Sequence, residues 1–274
     1  MRYGLISDVH ANLTALKAVM TAAQAESIDG YLCAGDLVGY GPEPNECVRL
    51  LADIGARCVA GNHDRMAVGA LGDAHASHLA RRSLAWTRSV LRDETMDYLA
   101  ALPDEMMVER WILVTHGAPG DVEARIRAAD GRAALHRLSV SHPPAQLLIV
   151  GNTHHAMAVS DDGRSWPLTS PVMLSAGARF VINPGSVGQS REALPLARFG
   201  LLDTERGQVE FRAIEYDVES ARKAFLAVGL PTRGLHRQAR RWGRIERARR
   251  AVRHRLSGDR PRPGDSPRPG QEAS

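Results

Sequence analysis

Residue types that bind metals recur in order along this chain, each just behind a short apolar run: Asp8 with His10, Asp36, Asn62 with His63, His116, and Asn152 with His154. The runs are residues 3–6, 31–34, 58–60, 111–115 and 147–150. Such runs read as buried strands, and polar residues directly behind them mark the loops into which the strands empty. Glycines at 35, 61, 117 and 151 let the backbone come close at those points. Carboxylate, imidazole and carboxamide donors together suit Mn, Fe, Co, Ni or Zn better than Ca alone. Asp8 and His10 are two apart, so an extended segment points both the same way and lets them grip one ion, while Asp36 can bridge to a second. Two such ions can hold a hydroxide between them and clamp phosphate oxygens during in-line attack. Phosphoester hydrolysis is the reaction that needs all of these effects.

The elements that must position these side chains follow from periodicity. Residues 12–25 carry Leu13, Leu16, Val19 and Met20 at helical spacing behind a possible cap, Asn12, and residues 43–54 repeat the arrangement after the second run, with Pro42 and Pro44 near its start. Strand, helix and strand in alternation argue for a parallel α/β sheet with right-handed crossovers. Residues 74–101 read as helical, and so do 218–228. After His154 the segments 157–160, 172–174, 180–182, 199–203 and 209–214 are short and turn-separated, which predicts a second, largely antiparallel sheet. Two sheets packed face to face with helices outside give the expected fold, a four-layer α/β/β/α sandwich.

The net charge of +4 hides an asymmetry: from residue 233 onward 13 arginines and four acidic residues give +9, leaving −5 on residues 1–232. The expected organisation is therefore a catalytic domain over 1–232, a basic amphipathic helical extension over 233–256 and a disordered tail over 257–274. In the extension Leu235, Trp242, Ile245, Val252 and Leu256 share one stripe; the tail is rich in Pro, Gly and Arg. Any contact with nucleic acid or an anionic surface belongs to this basic part alone. Three cysteines without paired spacing, no signal-like N-terminus and no membrane-length apolar run lead to the expectation of a cytoplasmic protein without a transmembrane segment.

Asp8-Val9-His10, Gly35-Asp36, Gly61-Asn62-His63-Asp64, His116-Gly117 and Gly151-Asn152-Thr153-His154 resemble the five ordered motifs of calcineurin-like metallophosphoesterases, over roughly residues 1–215. Gly39-Tyr40-Gly41-Pro42 and Asn183-Pro184-Gly185-Ser186-Val187-Gly188 are similar to the small prokaryotic phosphodiesterase branch. The resemblance implies two divalent transition metal ions, Mn favoured. Asp8, His10, Asp36 and His154 would hold the first, with Asp36 bridging, and Asn62 and His116 the second. It makes His63 the group that stabilises the phosphate or protonates the leaving oxygen, with Asp64 orienting its ring. The family's last motif usually carries a histidine where this chain has Asn152, whose carbonyl oxygen either ligates the second ion or stands by. Asn12 and Arg191 are candidate substrate contacts; Asn12 can also cap a helix, and Arg191 can instead form a salt bridge. Tyr40 can line the cleft. Nucleotides or other small phosphodiesters are the implied substrates, with dinucleoside polyphosphates or phosphoserine and phosphothreonine proteins as alternatives. A reading of another class makes Asn152 the mark of an impaired enzyme kept as a nucleic-acid-binding module.

Overall fold

The computed structural model describes residues 1–236. The expected extension lies outside the described residues beyond His236, and the tail over 257–274 lies outside them altogether. Strand β1 (Arg2–Ile6) runs parallel to β2 (Gly30–Cys33), which pairs in parallel with β3 (Arg57–Cys58). Two helices make these crossovers. Helix α1 (Leu13–Gln24) is capped by Asn12, whose Oδ1 accepts from the Ala15 amide at 3.1 Å, and α2 (Pro44–Asp53) opens on a proline, whose missing N–H costs nothing there. Each buries an apolar stripe, Leu16, Val19 and Ala23 on α1 and Cys47, Val48 and Leu51 on α2.

The turn after β3 continues into a short helix, α3 (Asn62–Ala67). The expected helix over 74–101 is two helices, α4 (His78–Val90) and α5 (Asp93–Ala101). Asn45 makes the break: its Nδ2 donates to the Val90 carbonyl at 2.8 Å and its Oδ1 accepts from the Arg92 amide at 3.0 Å, so bonds that would continue the helix are taken by a side chain from α2. Then follow β4 (Glu105–Val108), β5 (Ile112–Thr115), α6 (Gly131–Ser141), β6 (Leu147–Ile149), β7 (Met157–Ser160), β8 (Val172–Met173), β9 (Phe180–Asn183), β10 (Ala197–Asp203), β11 (Gln208–Ile214) and α7 (Val218–Ala227).

The later strands do not form an antiparallel sheet of their own. One sheet has the order β3-β2-β1-β10-β11-β8 and the other β4-β5-β6-β9-β7, so strands from both halves of the chain complete both sheets. In the second, β5, β6 and β9 are parallel, with β4 and β7 antiparallel at the edges. Periodicity tells a strand which faces are buried, but not which neighbour it pairs with. Both sheets are mixed and carry helices outside. Leu5, Leu32, Val114, Ile149, Ile182, Leu202 and Phe211 fill the space between the sheets; α1 and α2 cover the outer face of one and α6 the outer face of the other. No helix among the described residues is long and apolar enough to cross a membrane.

Candidate metal centre

The loops after β1, β2, β3, β5 and β6 meet at one edge of the two sheets. The first is a tight turn, not the extended segment that alternation implied: Asp8, His10 and Ala11 are left-handed, with φ of 52°, 48° and 50°. Asp36, Tyr40, Asn152 and His154 share this conformation. Each such non-glycine residue costs about 1 kcal/mol, and the cost is offset by a ladder between the first two loops. In that ladder the amides of Asp8, His10 and Ala11 donate to the carbonyls of Gly35, Asp36 and Leu37 at 2.9 to 3.0 Å. At Gly61 any side chain would overlap Asp36, so glycine there is what lets the third loop reach the second.

Three imidazoles are fixed the same way. Nδ1 of His10 faces the Val38 carbonyl at 3.2 Å, Nδ1 of His116 the Ala34 carbonyl at 2.6 Å, and Nδ1 of His154 the Gln189 carbonyl at 2.8 Å. A carbonyl can only accept, so each Nδ1 carries the proton and each Nε2 turns toward the centre of the site. There Nε2 of His10 lies 3.2 Å from Nε2 of His154, and Nε2 of His154 lies 3.3 Å from Asp8 Oδ1. Oδ2 of Asp36 stands between the other pair, 3.5 Å from His10 Nε2 and 3.3 Å from His116 Nε2. Asn62 places its Oδ1 3.2 Å from His116 Nε2.

Both oxygens of Asp8 are buried without a hydrogen-bond donor. An unsatisfied carboxylate against imidazole lone pairs is costly in a dry site, and a cation removes the cost by accepting all of these donors. Asp8, His10 and His154 form one group able to hold an ion, and Asp8, Asp36 and His116 a second. The donor set fits divalent metal ions. Burial holds His10 and His154 well below the usual imidazole range, which keeps them neutral. Burial also lowers His116, but the Asp36 carboxylate outweighs it and the net is a rise to about 9.

Two expected roles change. The Asp64 carboxylate does not hold the His63 ring: it accepts from the amides of Leu37, Val38 and Gly61 at 2.8 to 3.2 Å, and so ties the second loop to the third. The orienting contacts of His63 are instead the Tyr40 ring, 4.6 Å between centroids, and the His10 ring at 5.0 Å, while its own amide donates to Asp36 Oδ1 at 2.8 Å. Asn12 has structural partners at both ends of its amide: its Oδ1 caps α1 and its Nδ2 donates to the Gly188 carbonyl at 2.9 Å. Arg191 does reach the site, donating to His154 Nε2 at 2.9 Å. Asn152 has its amide nitrogen held by the carbonyls of Glu123 and Ala124 at 3.0 and 3.1 Å.

The model of the calcineurin-like phosphoesterase superfamily domain matches residues 1–207, a span that carries every ligand candidate. This chain belongs to the calcineurin-like phosphoesterase superfamily. It is 33% identical to a metallophosphoesterase of Sphaerobacter thermophilus of known structure, with a TM-score of 0.72 over 86% of this chain and 97% of that one. A hypothetical protein of Pyrococcus horikoshii shares the fold at 19% identity, with a TM-score of 0.69 over 85% and 96%. An uncharacterised protein of Methanocaldococcus jannaschii is 29% identical over 231 residues, 83% of this chain and 93% of its own.

Beside the metal centre this phosphoesterase has a cleft of about 580 Å³. Asn62, His63, Gln189 and Arg191 form its inner end, and Tyr40, Met66, Ala76, Leu79 and Ala80 give it a largely apolar wall. Arg125, Arg233, Glu123 and His75 also line it. None of these four was legible as a site residue. His75 lacked a motif and read as surface, Arg125 sits in a loop without pattern, and Arg233 fell on the far side of the expected domain boundary. Arg65 turns away from the cleft and bonds to Asp104 at 2.7 Å and to the carbonyls of Ala100 and Leu102.

Proposed function

We propose that this protein is a metal-dependent phosphodiesterase acting on nucleotides or other small phosphodiesters. The observation that carries the reading is the convergence of the Nε2 atoms of His10 and His154 on the buried carboxylate of Asp8, with His116 Nε2 on Asp36 next to it, beside a cleft lined by arginines. Asp8, His10, Asp36 and His154 would hold one divalent ion, and Asp36, Asn62 and His116 a second. The ions supply Lewis acidity toward a phosphoryl oxygen and lower the pKa of a water molecule. The Oδ1 of Asn152 remains as a hard donor to the second ion, which favours Mn among the candidates.

His63, at the inner end of the cleft, donates a hydrogen bond or a proton to the departing oxygen, and Arg191 neutralises a non-bridging phosphoryl oxygen. The apolar wall beside Tyr40 suits a flat ester group such as a nucleobase or an aryl ring. Arg125 and Arg233 support a second reading, a substrate carrying further phosphates such as a dinucleoside polyphosphate.

Hydrolysis of bis(p-nitrophenyl) phosphate and p-nitrophenyl phosphate tests this, using metal-stripped protein refilled separately with Mn, Fe(II), Ni, Zn or Mg and Asp36→Asn as control. Metal-dependent turnover with preference for the diester, lost in the control, is the expected result. Folded protein inactive with every metal would sink the reading and favour a binding module.

A further inference from the structure

The matched domain ends at residue 207, yet the described chain packs on through α7 to His236. Ala221 and Phe225 of α7 form a small apolar cluster with Leu230 and Leu235, closed by Trp86 of α4. This cluster pins the 3-10 turn Thr232–Gly234, where Gly234 lies against the Phe225 ring and the backbone of Tyr40. From there the chain is stitched to the loop behind Gly188. Ser190 and His236 form a parallel bridge, His236 Nε2 donates to the Glu192 carbonyl at 2.8 Å, and Gln189 Nε2 donates to the Gly234 carbonyl at 3.0 Å.

The stitched loop is the one that backs two ligand candidates. The Gln189 carbonyl accepts the Nδ1 proton of His154, the Gln189 amide donates to Ser186 Oγ at 2.9 Å, and that hydroxyl donates to the Asp8 carbonyl at 2.9 Å. Gln189, Ser190, Gly234, Leu235 and His236 are all buried. We propose that residues 230–236 are a positioning strap for the metal centre, with Gln189 the residue that transmits it: the strap fixes the peptide plane whose carbonyl sets the tautomer and the aim of His154. The proposal rests on the reading that His154 holds an ion. Its support is asymmetric, because the ring of His116 is backed by Ala34 at the end of β2 and, among the described residues, makes no hydrogen bond to the strap. Partners that orient a ligand imidazole typically change metal affinity by about 10- to 100-fold when removed.

Full-length Gln189→Met, which keeps the side-chain volume and loses the amide, and His236→Leu are compared with His236→Gln, which keeps an N–H donor. Metal-free proteins are titrated with manganese(II) chloride in a calorimeter, and their unfolding midpoints are recorded without metal. The expected result is that Gln189→Met and His236→Leu weaken one of two manganese sites about tenfold. The other site stays within about twofold, and His236→Gln binds like the parent. Equal weakening of both sites, or no change in a folded Gln189→Met protein, overturns the strap; if His236→Leu does not fold, Gln189→Met alone decides. A parent protein that binds no manganese overturns the metal reading itself, an outcome distinct from parent binding with unaffected variants.

Discussion

His116 donates its Nδ1 proton to the carbonyl of Ala34 at 2.6 Å, a bond from the end of a strand in one sheet to the end of a strand in the other. The contact aims the ring and joins the two sheets at the point where Asp36 follows in the chain.

Replacing His116 with alanine is therefore expected to remove one manganese equivalent of two and to lower kcat about 100-fold or more, since loss of a ligand exceeds loss of a supporting partner. Metal content by elemental analysis beside turnover of an aryl phosphodiester checks this; two retained equivalents contradict the assignment.

Manganese binding is expected to release protons. Without a cation His116 sits at about 9, and burial pushes Asp8 up to about 7, a rise that His116 opposes and Asp36 reinforces. At pH 7 His116 therefore carries its proton, Asp8 is held toward its protonated form, and protons must leave for both to ligate. At least about one proton, that of His116, leaves at pH 7, and affinity climbs as pH rises toward about 9 and then levels. Calorimetry in buffers of different ionisation enthalpy reads the number directly, and heats independent of buffer would refute it.

Asp64→Asn should act on stability before chemistry. The carboxylate serves three buried amides from two loops, and an amide side chain offers them a single oxygen. A loss of about 3 kcal/mol is expected, from one or two charge-assisted hydrogen bonds. Urea unfolding of the metal-free protein measures it. An unchanged midpoint with a collapsed kcat would return Asp64 to a role on the His63 ring.

Gly39→Ala tests how His63 is placed. Gly39 has a φ of 85°, and a Cβ there would overlap the His63 ring at Nδ1. The variant is expected to lose about 1 kcal/mol of stability from the left-handed backbone. It should also lower kcat at least tenfold as the ring is pushed out of register, an effect of about 1.4 kcal/mol on the barrier. Manganese affinity stays as in the parent. Weakened metal binding with intact kcat would instead mean that the ring belongs to the metal site.

Asp8, His10, Asp36, Asn62, His116 and His154 stood out as candidates before any fold was known, because metal-binding residue types directly behind apolar runs leave a local mark. The same local marks located α1, α2 and most strands to within a residue or two. What the residues serve was not local. Asn45 breaks a helix that its own periodicity would have continued, Asp64 holds the backbone of Leu37 and Val38 instead of a ring, and Asn12, legible as a cap, also ties down the Gly188 carbonyl. Each of these outcomes turns on a hydrogen-bond partner that is distant in sequence. Sheet membership is of the same kind, since β10 finds β1 across most of the chain and β9 finds β6 past the intervening β7 and β8. Chemistry is written in residue types and short spacings; partnership is decided by which buried donors and acceptors the packed chain brings within about 3 Å of one another.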